Sequence, residues 1–342
     1  MSPTATTPTP SPSVHPPISS EQQSAWASLV FPGVGTQEHF SPLDGSLIAA
    51  LPKSEALDVD AAFEKARHAA ESWKSESLAH RKRVMMRFHD LVLEHQGTLL
   101  DVVQWETGKS RASAFDEVAD IALTARYYAN SAETHLRPEK RQGALPFVTQ
   151  TRVHFQPKGV VGMITPWNYP LTLPLSDAVP ALMAGNGIVL KPDAQTPFSA
   201  LSALHLLYQA GLPEGLFQVV IGDGPELGTA IINNANFVMF TGSTATGKIV
   251  AEQAARRLIG FSAELGGKNP MIVLDDAPLE RALEGAITAS FSNAGQLCMS
   301  IERLYVHEGI YDRFVPRLIE EVTKLRLGTA FDFSYEVGTL IS

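Results

Sequence analysis

A single cysteine, Cys298, is the residue with the clearest chemical potential, and it lies in the stretch NAGQLCMSIERLYV. A cysteine thiolate is a strong nucleophile when its surroundings favour the anion. A free cysteine is also among the most buried residue types, so an apolar core position is the ordinary alternative. With one cysteine in 342 residues, an intramolecular disulfide and a zinc site built from several cysteines are both excluded.

Other candidate residues lie in short turns that each follow an apolar run. Asn168 is in ITPWNYPL, Lys191 and Ala194 are in LKPDAQTP, and Glu264 is in SAELGGKNP. A carboxylate suits general-base chemistry, an amide N–H can stabilise an oxyanion, and a lysine at a strand end suits cofactor hydroxyls or phosphates. Taken alone, each also fits a simpler position, namely a turn asparagine, a solvated lysine or a surface glutamate.

The apolar runs indicate how these turns are positioned. VVGMIT, GIVLKP, FQVVIG, FVMFTGS and PMIVLD alternate with helical patterns. Short continuous apolar strands that alternate with helices predict an α/β fold with a parallel sheet covered on both faces. Such sheets bind ligands beyond the carboxyl ends of their strands, so the turns are the expected site.

The region before this sheet is predicted to be mostly helical. Apolar residues recur every three or four positions over residues 58–77, 79–109 and 112–135, which predicts three helices. The alternating stretch FVTQTRVHFQPKG predicts an extended strand or a hairpin over residues 147–159. Residues 1–20 are rich in Pro, Ser and Thr, and we expect them to be disordered.

Charge and composition exclude several classes of function. The net charge is −9, whereas a broad nucleic-acid interface needs a basic face. The first 52 residues contain no Lys or Arg, which argues against a secretory signal and a mitochondrial transit peptide. No apolar run reaches transmembrane length. We therefore expect a cytoplasmic protein that binds neither nucleic acid nor membrane.

Two glycine-rich turns are imperfect matches to nucleotide motifs. GSTATGK fits the start of a phosphate loop, but Ile249 follows where Ser or Thr should hold magnesium. GDGPELG has Leu227 where a dinucleotide fingerprint needs its last glycine. Neither motif supports a nucleotide-hydrolysing site, although backbone N–H groups at a helix start still favour phosphate.

Five motifs occur in one order along the chain: ITPWNYPL, LKPDAQTP, FTGSTATG, SAELGGKNP and NAGQLC. Together they resemble the NAD(P)-dependent aldehyde dehydrogenase superfamily from about residue 58 to the C-terminus. GFSAELGGKNPMIV, FSNAGQLC and SIERLYV are most similar to the NADP-type succinate-semialdehyde dehydrogenases of bacteria. The resemblance implies an aldehyde dehydrogenase-like α/β fold, with a Rossmann-type cofactor domain at residues 21–262 and an incomplete α/β catalytic domain at residues 263–342. The cofactor domain would include N-terminal helices and a bridging β-hairpin near residues 143–156.

The same resemblance implies a role for each candidate residue. Cys298 would add to the aldehyde carbon, and water would hydrolyse the resulting thioester. Glu264 would be the general base that activates either this water or the thiol. Asn168 and the backbone N–H of Cys298 would stabilise the oxyanion. The implied cofactor contacts are Thr165, Pro166, Trp167, Asn168, Lys191, Pro192, Asp193, Ala194, Gly242, Ser243, Gly247 and Leu265. No metal is expected.

Position 194 bears on the choice of cofactor. Many NAD-preferring relatives in this superfamily place a glutamate there, which bonds the ribose hydroxyls and would repel a 2′-phosphate. Ala194 removes both the attraction for NAD and the repulsion of NADP. We therefore expect NADP as the cofactor, with NAD as the alternative.

The chain ends at GTLIS, and a complete family member would extend further. We expect the 342-residue chain alone to have little activity and the full-length parent to be an active dimer or tetramer. Three hypotheses stay open: a succinate-semialdehyde dehydrogenase, a dehydrogenase for another aldehyde, and a non-catalytic remnant that only binds nucleotide or partner subunits. A cysteine hydrolase is disfavoured because none of the ten histidines has a motif context.

Overall fold

The computed structural model describes residues 18–145 and 147–342, which form helices and strands. The strands are β1 (Gly35–Phe40), β2 (Leu47–Lys53), β3 (Glu139–Arg141), β4 (Thr151–Val153), β5 (Val160–Ile164), β6 (Gly187–Lys191), β7 (Phe217–Val219), β8 (Phe237–Gly242), β9 (Gly260–Leu265), β10 (Asn269–Val273) and β11 (Ile301–Val306). The helices are α1 (Ser20–Ala27), α2 (Ala56–Trp73), α3 (Leu78–Glu94), α4 (Gln96–Thr107), α5 (Arg111–Leu136), α6 (Thr172–Met183), α7 (Pro197–Gln209), α8 (Gly224–Asn234), α9 (Thr244–Arg256), α10 (Leu279–Phe291) and α11 (Glu308–Val322).

Five parallel strands form the central sheet in the order β7–β6–β5–β8–β9. Helices α6, α7, α8 and α9 connect successive strands and return the chain to the same edge. All five residues of β6 are buried, as expected for a strand covered on both faces. At Gly162, an added Cβ would lie 2.5 Å from Ile231 of α8, so glycine permits this close packing. The predicted parallel α/β sheet is confirmed.

Alternate residues of the central strands point into two separate cores. Val161 and Met163 of β5 pack in a large core with α3, α5, α6 and α7. Val160 of β5 and Val189 of β6 pack in a second core with α2 and α8. This alternation follows from the two-residue period of a strand and places helices on both faces of the sheet.

The long helix predicted over residues 79–109 is wrong in one respect, because it is two helices. α3 ends and α4 begins at His95, whose φ of −101° and ψ of 17° lie outside the helical range. Apolar residues keep their helical spacing on both sides of this break, so the pattern did not reveal it. Both helices pack on α5 and α7, and α3 also contacts α6.

The predictions for the N-terminal tail and for the hairpin both differ from the structure. Residues 1–17 of the expected disordered tail lie outside the described residues, but the tail's last residues are ordered. Ser19 caps α1 through a hydrogen bond from the backbone N–H of Gln22. The hairpin expected near residues 143–156 instead pairs β3 with β4, so it begins earlier and ends at Val153.

A second parallel pair, β10 with β11, lies apart from the central sheet. The strand predicted at PMIVLD is β10, and it pairs with β11 instead of joining the central sheet. The domain boundary proposed between residues 262 and 263 falls inside β9, which pairs with β8 as far as Leu265. Among the described residues, no helix combines the length and apolarity needed to cross a membrane.

Candidate active site

The turns predicted to carry the site lie together at the carboxyl edge of the central sheet. Thr165 follows β5, Lys191 ends β6, Gly242 ends β8 and Leu265 ends β9. From β5 the chain continues to β6 and β7 on one side, and later to β8 and β9 on the other. The strand order therefore reverses between β5 and β8, and a crevice forms at such a reversal.

The segment after β5 is anchored to the neighbouring strand. The backbone N–H of Thr165 donates to the carbonyl of Lys191 at 3.1 Å. Thr165 is buried, and its Oγ1 is without a hydrogen-bond partner among the described residues. Pro166, Trp167 and Asn168 follow it as half-buried residues. A buried hydroxyl without a partner is uncommon and indicates a group that a ligand could satisfy.

The turn after β6 places a cation and a small residue beside each other. Lys191 is buried, and this burial lowers the pKa of its ammonium, against the opposing charges of Asp193 and Asp223. Its Nζ has one long contact, 3.4 Å to the carbonyl of Pro192. The Asp193 carboxylate accepts from the Gln195 backbone N–H at 2.9 Å, which closes the turn.

Ala194 lies at the rim of a cleft next to this turn. Its carbonyl accepts from Nδ1 of the buried His39 at 2.6 Å. Burial lowers the pKa of His39, which favours the neutral ring as donor. The cleft is lined by Thr36, Gln37, Glu38, Lys53, Ala194, Gly222, Asp223 and Gly224. Two strands that the sequence analysis did not predict, β1 and β2, thus supply half of its wall.

The turn after β8 begins helix α9. Ser243 is the N-cap residue, and its Oγ accepts from the Thr246 backbone N–H at 3.2 Å. At Gly247 an added Cβ would lie 2.5 Å from the side chain of Leu265, so the glycine lets α9 approach the end of β9. Gly242 and Leu265 are paired in register between β8 and β9. The predicted cofactor residues of these two turns are therefore adjacent.

Cys298 is exposed, which contradicts the alternative that it fills the core. The turn before it is unusual: Asn293 and Ala294 have φ of 51° and 55°, a conformation that non-glycine residues rarely adopt. The end of the loop is held by the Asn269 side chain, whose amide donates to the carbonyl of Cys298 at 2.7 Å and to that of Ser300 at 3.0 Å. The nucleophile candidate is thus presented on a loop held at both ends.

Asn168 reaches the loop that carries Cys298. Its Nδ2 donates to the carbonyl of Gln296 at 3.0 Å, and Nδ2 of Asn293 donates to the same carbonyl at 3.1 Å. A primary amide nitrogen carries two hydrogens, so one N–H of Asn168 is available for a further acceptor. This hydrogen bond joins Asn168 to Gln296, which is 128 positions further along the chain. It brings Asn168 close to the loop of Cys298, so two of the three predicted catalytic residues lie in the same region.

Glu264 lies opposite Thr241 near the end of β9, and it is exposed. Its charge acts on Asp177 of α6, a residue that the sequence analysis did not consider. Burial, together with the charge of Glu264, raises the pKa of Asp177 to about 6. Two carboxylates from different elements therefore share this side of the site.

Three further polar residues around Asn168 escaped the sequence analysis: Lys109, Glu117 and Asn293. Lys109 is buried in the turn before α5, and Glu117 is buried on α5 itself. Asn293 belongs to the turn before Cys298. Lys109 and Glu117 sit within otherwise helical patterns, where charges normally mark a solvated face. One sequence feature could have indicated that Lys109 is not on a solvated helix face. Lys109 follows Gly108, which ends α4 with a φ of 68°, a conformation typical of glycine at a helix end.

The described residues contain no group of three His, Cys, Asp or Glu side chains arranged to hold a metal ion. The two imperfect nucleotide motifs are helix starts: the first begins α9, and the second begins α8 with Asp223 as its N-cap.

Comparison with known proteins gives a consistent result. The profile described as the aldehyde dehydrogenase family matches residues 32–342. A putative succinate-semialdehyde dehydrogenase [NADP(+)] of Mycolicibacterium smegmatis is 53% identical over 298 residues, which is 87% of this chain and 58% of the relative. A succinate-semialdehyde dehydrogenase [NADP(+)] of Escherichia coli is 37% identical over 88% of this chain and 62% of that protein.

Solved structures agree with this comparison. The crystal structure of succinate-semialdehyde dehydrogenase from Burkholderia pseudomallei superposes with a TM-score of 0.86 at 36% identity, over 90% of this chain and 64% of that chain. The chain thus spans less than two thirds of the length of these relatives. The match over nearly all of its described residues shows that the chain belongs to the aldehyde dehydrogenase family.

Proposed function

We propose that the protein carrying this chain oxidises an aldehyde, with succinate semialdehyde as the first candidate, to the carboxylic acid with NADP⁺. The observation that carries the proposal is the 3.0 Å hydrogen bond from Asn168 to the carbonyl of Gln296. It joins the loop of the only cysteine to the carboxyl edge of the sheet, where the family resemblance implies the cofactor contacts. The names of two relatives, in M. smegmatis and E. coli, support both the substrate and the cofactor.

The residues at the sheet edge fit a dinucleotide. The unpartnered Oγ1 of Thr165 and the buried Lys191 ammonium are polar groups that a ribose or a phosphate would satisfy. The capped start of α9 offers backbone N–H groups to a pyrophosphate, with Gly242, Ser243 and Gly247 beside it. When bound, NADP⁺ supplies the hydride acceptor for the oxidation.

The chain's own residues would carry the remaining chemistry. The Cys298 thiolate adds to the aldehyde carbon, and the carbonyl oxygen becomes an oxyanion. The free N–H of the Asn168 amide and the backbone N–H of Cys298 donate to this oxyanion. After oxidation, the acyl group remains on sulfur as a thioester. Glu264 then takes a proton from water, which attacks the thioester and releases the acid.

One observation favours a different aldehyde. Asp177 and Glu264 place two acidic groups near the site, and they would repel the single carboxylate of succinate semialdehyde. An aldehyde without a carboxylate would not meet this repulsion. A dehydrogenase for a neutral aldehyde is therefore the second candidate.

A panel of aldehydes tests both candidates on the longest polypeptide that the gene encodes. Succinate semialdehyde is compared with butyraldehyde, which has the same number of carbons and no carboxylate, by following NADPH absorbance. A higher kcat/KM for succinate semialdehyde supports the first candidate, and a higher value for butyraldehyde supports the second. Nucleotide binding without turnover of any aldehyde would refute the oxidation.

The cofactor is tested by comparing kcat/KM for NADP⁺ and NAD⁺ with the better aldehyde. A clear preference for NAD⁺ would contradict the argument from Ala194. The cytoplasmic location, the homo-oligomeric state, the absence of nucleic-acid or membrane partners and the low activity of the isolated 342-residue chain remain predictions from the sequence.

A further inference from the structure

The ammonium group of Lys109 is buried inside the protein, directly behind the segment that carries Asn168. The side chain of Lys109 is fully shielded from solvent, as is that of its ion-pair partner Glu117. Taking such charges out of water is costly unless their partners have good geometry. The Lys109 Nζ has those partners: it donates to a Glu117 carboxylate oxygen and, at 2.8 Å, to the carbonyl of Asn168.

Glu117 accepts hydrogen bonds from the other end of the segment that begins at Asn168. Its second carboxylate oxygen accepts from the backbone N–H of Leu171 at 2.9 Å and from that of Thr172 at 3.0 Å. These are donors at the start of α6, which lack partners within the helix and favour a negative charge nearby. The ion pair therefore holds the chain from residue 168 to residue 172 at both ends.

The carbonyl of Asn168 also connects this pair to the cysteine loop. It accepts from Nδ2 of Asn293 at 3.0 Å, in addition to Lys109. The same Asn293 nitrogen lies 3.1 Å from the carbonyl of Gln296, which the Asn168 side chain contacts from the other direction. The Lys109 Nζ lies 4.1 Å from the ring centre of Tyr169, so the ammonium is enclosed on this side too.

We propose that Lys109, with Glu117 as its counter-ion, is a positioning residue that sets the amide of Asn168 against the loop of Cys298. The inference rests on the proposed oxidation of an aldehyde, in which that amide donates to the oxyanion. Lys109 touches neither substrate nor cofactor and acts through the Asn168 backbone. A displacement of about 1 Å at such a donor can lower a rate by roughly 10²-fold.

A purely structural role for the ion pair of Lys109 and Glu117 predicts different changes in kcat. If Lys109 only stabilised the fold, its loss would lower the melting temperature and would change kcat by the same factor whether or not Asn168 had its amide. If Lys109 acts through Asn168, removing the amide first removes the effect of Lys109. A double-mutant cycle measures this coupling directly.

The cycle compares wild type, Lys109→Met, Asn168→Ala and the double variant, all in the longest polypeptide that the gene encodes. We expect Lys109→Met to lower kcat roughly 10–100-fold, with KM for NADP⁺ changed by less than about 3-fold. In the Asn168→Ala background the same substitution should lower kcat by less than about 3-fold. Equal factors in the two backgrounds would overturn the proposal.

Arg111→Met is the matched control. Arg111 also pairs with a carboxylate, that of Asp101, at the start of the same helix α5, but its partners are Asp101, Gln104 and Gly97. It should lower the melting temperature without coupling to Asn168. If Lys109→Met does not fold, Lys109→Met/Glu117→Gln removes both charges and keeps an acceptor for α6, and it replaces the single variant in the cycle.

A crystal structure of the folded Lys109 variant separates this inference from the proposed function. Wild-type protein without aldehyde oxidation would refute the function alone. In that case the position of the Asn168 amide still decides about Lys109. We expect its Nδ2 to move out of hydrogen-bond distance of the Gln296 carbonyl, and an unmoved amide would refute the positioning role.

Discussion

The two parallel sheets of the chain differ in what covers them. In the central sheet, β6 is buried at every residue, and helices pack on both faces. In the pair β10–β11, Ile272 is 68% exposed and Tyr305 is 53% exposed, while Val273 packs in a small core with α10 and α11. The same type of strand pairing is therefore supported by very different amounts of apolar burial.

This difference separates two tasks of the site. The turns that fit a cofactor, at Thr165, Lys191 and Gly242, follow strands of the covered sheet. Cys298 belongs to the loop before β11, in the less covered region, and hydrogen bonds from Asn168 and Asn269 connect it to its surroundings. Ligand binding and nucleophilic chemistry should consequently respond to different substitutions.

The largest expected effect is the loss of turnover without loss of cofactor binding. Cys298→Ser replaces the thiolate by a hydroxyl that is far less ionised at neutral pH, so kcat should fall by at least about 10³-fold. The dissociation constant of NADP⁺, measured by fluorescence titration, should stay within about 2-fold of wild type, because the covered sheet is untouched.

Met299→Leu is the control for this substitution. Met299 is the next residue in the loop and is exposed, so its replacement should preserve turnover. Parental turnover by the Cys298 variant would show that another group forms the bond to the aldehyde carbon.

Matched isoleucine substitutions compare the two sheets directly. Ile188 of β6 is fully buried, and Ile188→Ala should lower the free energy of unfolding by about 2–5 kcal/mol because it leaves a cavity. Ile272→Ala in β10 removes an exposed side chain and should change it by no more than about 0.5 kcal/mol. Urea denaturation measures both. A cost above roughly 2 kcal/mol at Ile272 would show that its face is covered in solution.

The same contrast explains what the sequence could and could not predict. Continuous apolar runs such as that of β6 predicted the central strands, because a strand covered on both faces is apolar along most of its length. The turns at their carboxyl ends followed from the general rule for parallel sheets. The break at His95 was not predictable, because apolar spacing continues through it.

The interactions around Asn168 also lay beyond the sequence. Lys109 contacts a carbonyl 59 positions away, and Asn293 contacts the same carbonyl from 125 positions away. No local sequence pattern predicts contacts between residues so far apart in the chain. A charged residue within a helical pattern is normally predicted to lie on the solvated face, even where it is buried. Asp177 was missed for the same reason: it lies on α6, and its neighbour Glu264 belongs to the distant strand β9.

A smaller effect is expected from the pH dependence of stability at Asp177. Its pKa is about 6 in the folded chain, above the ordinary value of 3.8, because burial and Glu264 disfavour the charge. The folded state therefore binds more protons between pH 4 and 6, and its stability falls as the pH rises through this window. Asp177→Asn removes this loss, so the variant should match wild type below about pH 3.8 and exceed it by about 3 kcal/mol at pH 7.5.

The measurement is a series of urea denaturation curves at several pH values. Asp312→Asn, at an exposed position of α11, is the control and should differ from wild type by less than about 0.5 kcal/mol throughout. A constant difference between Asp177→Asn and wild type across the pH range would contradict the raised pKa.

The smallest expected effect concerns the cleft beside Ala194, which the covered sheet and the β1–β2 hairpin build together. Ala194→Glu introduces a carboxylate where a 2′-phosphate would be repelled and ribose hydroxyls would be bound, so the ratio of kcat/KM for NADP⁺ over NAD⁺ should fall by about 10-fold. Gln195→Glu adds the same charge one residue further on, at an exposed position, and should change the ratio by less than about 3-fold. Equal shifts from both substitutions would mean that the charge acts from solvent rather than inside the cleft. A shift confined to position 194 would place cofactor selection in the covered region and separate it from the cysteine loop.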